Sequence, residues 1–305
     1  MSTFRRIGPR HLIGIILTAA VLLTGRAFTA TPAVAATGIE AVFARPGQYA
    51  TSSTTGSTYA LFHPSNYAAL GRKSPIITWG NGTDATPAAY STLLNHFASH
   101  GFTVIATTST NTASGNGIAA AANYLVAQAS TPGSIFYENL DVTKIAAVGH
   151  SQGAAGATRA ATNNPNLITT LMTFSLPDLK WAGTGAECPV VQDCLWDTAA
   201  VPQPTFLIGT YGPFDSSIAP PATEQAYFDR LPNGPAALGL ISTSNFLPAD
   251  HNSVMNTYNP GGFLGYSTAW LYARMFGDPT AAAAFTAGAA PELPTNWNWP
   301  GSKVK

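Results

Sequence analysis

The chain has 305 residues, a formal net charge of zero and only 9% charged side chains, against a 46% hydrophobic fraction typical of a protein with a buried core. Four of its fourteen basic residues (Arg5, Arg6, Arg10, Arg26) fall within residues 1–36, which hold no acidic residue. The remainder carries ten basic against fourteen acidic residues, a formal charge of −4. No basic stripe is left for a nucleic acid.

In chain order, the basic start is followed by an apolar run from Leu12 to Leu23, then by the small residues Ala33-Val34-Ala35-Ala36. This three-part pattern predicts a secretory signal peptide over 1–36, because the apolar run is shorter than the ~20 residues of a spanning helix. No later run reaches that length, so the mature chain is expected to have no membrane span. Short apolar runs then alternate with helix-like stretches. Strands are predicted at Thr58–Phe62, Pro75–Trp79, Phe102–Ala106, Lys144–Val148, Leu167–Phe174, Thr205–Ile208 and Leu238–Ser242. Helices are predicted over 87–100, over 117–129, after Gly153, and from Phe263 to Phe276. Such alternation predicts an α/β protein with a central, mostly parallel sheet flanked by helices. Residues 37–305 read as one domain, with 177–204 as an inserted loop and 288–305 as an extended tail. Cys188 and Cys194 are the only cysteines. In an exported chain they predict a disulfide closing a short loop.

Gly149-His150-Ser151-Gln152-Gly153 matches G-x-S-x-G and lies between a predicted strand and a predicted helix. That strand–turn–helix setting exposes a serine hydroxyl above a sheet and predicts the α/β-hydrolase fold, with Ser151 as nucleophile. The chain order of that fold is serine, acid, histidine. His251 is the only histidine after Ser151, so it is the candidate base. Asp215 follows the strand at 205–208 and is the candidate acid, with Asp178 as the alternative. Oxyanion donors are expected from the backbone of Gln152 and from the loop after the strand at 75–79. Asn81 is the candidate there, an Asn-Gly turn being the bland reading. Trp181 and Trp196 are candidates for lining a substrate cleft, or else structural tryptophans. No metal cluster or nucleotide fingerprint is present, and no cofactor is expected.

Four segments carry a family resemblance. They are Ala98–Ile105, the elbow with Asn163-Asn164-Pro165 after it, Asp215–Pro220, and Asp250–Ser253. With them the chain resembles the secreted bacterial cutinases and poly(ethylene terephthalate) hydrolases of the polyesterase–lipase–cutinase group. The resemblance implies a secreted, extracellular, monomeric serine ester hydrolase acting on a small ester, a lipid or a polyester. It also implies the triad Ser151, Asp215 and His251, with donors at Asn81 and Gln152. An acyltransferase using the same triad is the alternative.

Overall fold

The computed structural model describes residues 38–183, 187–188, 190–232, 234–288 and 290–305. The leader expected over 1–36 lies outside them. Eight strands form the body of one sheet: β1 (Thr51–Thr55), β2 (Tyr59–Pro64), β3 (Ser74–Gly80), β4 (Thr103–Thr107), β5 (Leu140–His150), β6 (Thr170–Phe174), β7 (Thr205–Thr210) and β8 (Ala236–Ile241). A ninth, Lys303–Val304, closes the edge, giving the order β1-β2-β4-β3-β5-β6-β7-β8 and then Lys303–Val304. Strands β3 to β8 are mutually parallel; β1, β2 and the closing strand are antiparallel to their neighbours. This is the α/β-hydrolase fold.

The apolar runs are continuous because both faces of the sheet are covered. β3, β4, β6, β7 and β8 are buried at every position. Alternate residues divide between two cores. Helices α1 (Ile39–Phe43) and α5 (Asp215–Ile218) are short; Ile77, Trp79, Val148 and Phe174 face helices α2 (Ser91–Ser99) and α7 (Gly261–Leu271). Ile76, Ala147, Leu171 and Leu207 face α3 (Asn116–Gln128), α4 (Gln152–Asn163) and α6 (Pro221–Arg230).

Several boundaries differ from expectation. β1, with sequence TSSTT, was not foreseen; it is an exposed edge strand without apolar residues. Helix α6 also escaped, because it is short and mostly polar. The strand at 167–174 starts only at Thr170, after Leu167 and Ile168 bond back to Asn164 O. Residues 288–305 are not an extended tail. They contain a helical turn at Glu292–Thr295 and the closing strand, and they bury Trp299 completely. The Trp299 indole donates to Glu40 Oε1 (2.8 Å), and Glu292 accepts from the backbone N–H groups of Ile39 and Glu40 (2.6 and 2.9 Å). Residues 177–204 hold only 3-10 turns among the described residues, with Cys188 and Cys194 joined in a disulfide.

Candidate active site

The site lies at the carboxyl ends of the parallel strands. β5 ends at His150, α4 begins at Gln152, and Ser151 alone makes the turn, at φ 54° and ψ −123°. A non-glycine residue in that region costs about 1–3 kcal/mol and persists only when its surroundings enforce it. The enforcement is visible. A Cβ on Gly149 would lie 2.1 Å from Gly153 O, and one on Gly153 would lie 2.1 Å from Gly80 O. Both glycines of the motif are therefore required by the close approach of α4 to β5 and β3. The Ser151 N–H is fixed on Phe174 O at 2.9 Å. Its Oγ projects where the first N–H groups of α4 favour negative charge.

Three side chains from three loops form one hydrogen-bonded chain. His251 Nε2 lies 2.9 Å from Ser151 Oγ, and His251 Nδ1 lies 2.6 Å from Asp215 Oδ1. Asp215 is fully buried, and its second oxygen accepts from Ser175 Oγ (2.8 Å) and Thr210 Oγ1 (2.6 Å). With Nδ1–H donated to the carboxylate, Nε2 keeps its lone pair toward the serine hydroxyl. Asp178, the alternative acid, is elsewhere. It caps the turn Leu179–Trp181 through Lys180 N and accepts from Thr223 Oγ1.

A family model described as PET hydrolase-like matches residues 26–271. The chain belongs to the PET hydrolase-like family. Among curated proteins it is similar to Cutinase 1 and Cutinase 2 of Thermobifida cellulosilytica, 28% identical over 198 residues and 29% over 199. A cutinase of Thermobifida fusca (strain YX) is also 28% identical over 198 residues. Each match covers 62% of this chain and 64%, 64% and 56%, respectively, of the relative, so less than two thirds of any of the three.

Several residues that organise the site in this family member were not singled out from sequence. The Asp250 carboxylate ties the acid turn to the base turn, accepting from Asp215 N (2.9 Å), Phe214 N (3.2 Å) and His251 N (2.8 Å). His150 is almost fully buried behind Ser151. Its Nε2 is 2.9 Å from the carbonyl of His251, and its Nδ1 is 2.9 Å from Tyr90 Oη, which accepts from Gly82 N at 3.0 Å. A carbonyl can only accept, so Nε2 carries the hydrogen and Nδ1 accepts from the tyrosine. This line runs from the loop after β3 to the backbone of His251. Burial, then the neighbouring His251, hold His150 well below the ordinary histidine range, so it is neutral at pH 7. Burial pushes Tyr90 up to about 12.

The expectation for Asn81 is corrected. Asn81 is fully buried and borders neither cavity that meets Ser151. Its amide braces the loop instead. Nδ2 donates to Thr107 O (2.7 Å) and Ser109 O (3.0 Å), while Oδ1 accepts from Trp79 Nε1 (3.2 Å). Two residues on, Thr83 is exposed and lines both cavities. Gln152 lines one of them, with its side chain turned away onto Thr112 N (2.9 Å). Trp181 and Trp196 both border a cavity of about 310 Å³ that opens on Ser151. Trp181 is half-exposed, with its indole N–H donated to Ser217 O at 3.2 Å, and Trp196 is buried.

Proposed function

We propose that the protein is an exported serine carboxylic ester hydrolase working through an acyl-serine intermediate. The observation that carries this reading is the chain Ser151–His251–Asp215, with the serine on a strained turn at the start of a helix. His251 Nε2 takes the proton as Ser151 Oγ bonds to the ester carbonyl carbon. Asp215 steadies the imidazolium, its own charge held by Ser175 and Thr210. The oxyanion of the tetrahedral intermediate is held by the backbone N–H groups of Gln152 and Thr83; removal of one such donor typically costs ~10²–10³ in rate. The carbon–oxygen bond to the alcohol then breaks, and His251 returns its proton to the departing alkoxide. Water, deprotonated by the same imidazole, attacks the acyl-enzyme; the acid leaves and Oγ regains its hydrogen. The family match and the cutinase names of the relatives point to the same chemistry. Export is supported by the leader pattern over 1–36 and by the Cys188–Cys194 disulfide.

The test is turnover of p-nitrophenyl butyrate by the wild type and by Ser151→Ala. The variant is expected to lose about 10⁴-fold or more in kcat, leaving only binding and oxyanion stabilisation. Equal rates for the two proteins contradict the assignment.

A further inference from the structure

Two cavities meet at Ser151 and differ in what else they contain. The first, about 310 Å³, is walled by Ala155 of α4, Pro177 and Trp181 after β6, and Cys194 and Trp196 from the disulfide segment. The second, about 290 Å³, is walled by Tyr90, His150, Phe214, His251 and Met255. Thr83, Ser151 and Ile218 border both. Gln152 borders only the first, and His251 only the second.

This asymmetry orients an ester, given the hydrolase reading above on which the inference rests. The alcohol oxygen must face His251 Nε2 to receive its proton. The alkoxy arm therefore extends into the second cavity. The carbonyl oxygen turns to Thr83 and Gln152, so the acyl arm enters the first.

One wall of the first cavity is fastened. Cys194 is fully buried against Ala113 and Cys188. Arg159 of α4 donates from Nε to Ser114 O (3.1 Å) and from Nη1 to Leu195 O. Glu187 accepts from both Ser114 N (3.1 Å) and Ser114 Oγ (2.8 Å). The segment is thus tied to α4 and to the loop before α3 from both sides of its disulfide. We propose that Cys194 and Trp196, held in place by the disulfide, form the end wall of an acyl pocket and make the enzyme specific for esters of short, apolar acyl chains. A long fatty chain or a polymer running on through the acyl side meets this wall.

The experiment is a kcat/KM profile over two ester series. In the first, p-nitrophenyl esters run from acetate to palmitate. In the second, butyrate is fixed and the alcohol lengthens. The wild type is expected to fall steeply beyond medium chains in the acyl series. Ala182→Leu, which intrudes on the pocket from the rim, is expected to lower the octanoate-to-acetate ratio by about tenfold, the usual worth of a misfitted methylene. Trp181→Ala, at a half-exposed position that tolerates truncation, and mild reduction of the disulfide are expected to raise the laurate-to-butyrate ratio by about tenfold. Met255→Ala is expected to move only the alcohol series. The inference is overturned if palmitate is cleaved as efficiently as butyrate. It is equally overturned if the first-cavity variants move the alcohol series and Met255→Ala moves the acyl series. Absence of butyrate turnover by the folded wild type overturns the hydrolase reading itself, and this inference with it.

Discussion

His150 shows how much of the site one side chain holds in place. It sits inside the elbow motif. Its two ring nitrogens join Tyr90 to the backbone of His251, and Tyr90 in turn holds Gly82, next to the proposed donor Thr83. Replacing it by phenylalanine keeps the bulk and removes both bonds. His150→Phe is expected to lower kcat for p-nitrophenyl butyrate by about 10–100-fold, the scale of a 1 Å misplacement, with a smaller change in KM. A role in packing alone would leave kcat near the wild-type value at unchanged melting temperature. At this scale the three side chains that meet in one hydrogen-bonded chain, Ser151, His251 and Asp215, were legible because each has a fixed place in the chain order of the fold. Asp250 and Tyr90 were not, because their contacts lie across the fold. The Asp250–Asp215 contact spans 35 residues and Tyr90–His150 spans 60. Asn81 was misplaced for a related reason. The loop after β3 turns its asparagine inward, and spacing does not reveal which residue of a short loop faces the serine.

Among elements, the buried parallel strands were the most readable, since continuous apolar runs ending in glycine or polar turns have few other meanings. The edge elements were not. β1 has no apolar pattern, and the closing strand Lys303–Val304 is two residues long. Yet the C-terminal segment is structural. Trp299 is fully buried against Gly239 of β8, where an added Cβ would lie 2.8 Å from the indole. Its N–H also reaches Glu40 near the opposite end of the described chain. Trp299→Ala leaves a cavity and strips Glu40 of a donor. It is expected to cost about 3–5 kcal/mol, read in urea unfolding as a lower midpoint at unchanged slope. Stability within about 0.5 kcal/mol of wild type would return residues 288–305 to the status of a loose tail.

The whole molecule carries a buried acid that the proposed chemistry does not use. Glu224 of α6 is fully buried, accepts from Leu176 N at 2.7 Å, and is pushed well above the ordinary value of 4.5 by burial and then by the charge of Asp215. A folded-state pKa above the unfolded one means that the native state holds the proton more tightly. The stabilisation is fully present below about pH 4.5 and is lost as pH rises toward the folded value. Glu224→Gln keeps the acceptor for Leu176 N and is neutral at every pH. Its melting temperature is expected to match the wild type near pH 4.5 and to exceed it increasingly up to pH 8. A constant difference across that range would show that Glu224 does not titrate with folding. Three buried histidines oppose this trend. His150 is held well below the ordinary value of 6.5, His96 is held at about 4 and His100 is held below 6.5; burial is the first cause in all three. Their contribution is fully present above about pH 6.5 and is lost as pH falls from there through the folded-state values, about 4 for His96. Comparing Glu224→Gln with wild type cancels the histidine contribution.

The central claim is that Ser151 is the nucleophile of an ester hydrolase. The most direct measurement is stoichiometric labelling with a fluorophosphonate, followed by mass spectrometry of the digested protein and assay of residual p-nitrophenyl butyrate turnover. The expected result is one adduct per chain, on the peptide containing Ser151, with activity falling in proportion to labelling. Activity that survives complete labelling of Ser151, or an adduct confined to another residue while activity is lost, would contradict it.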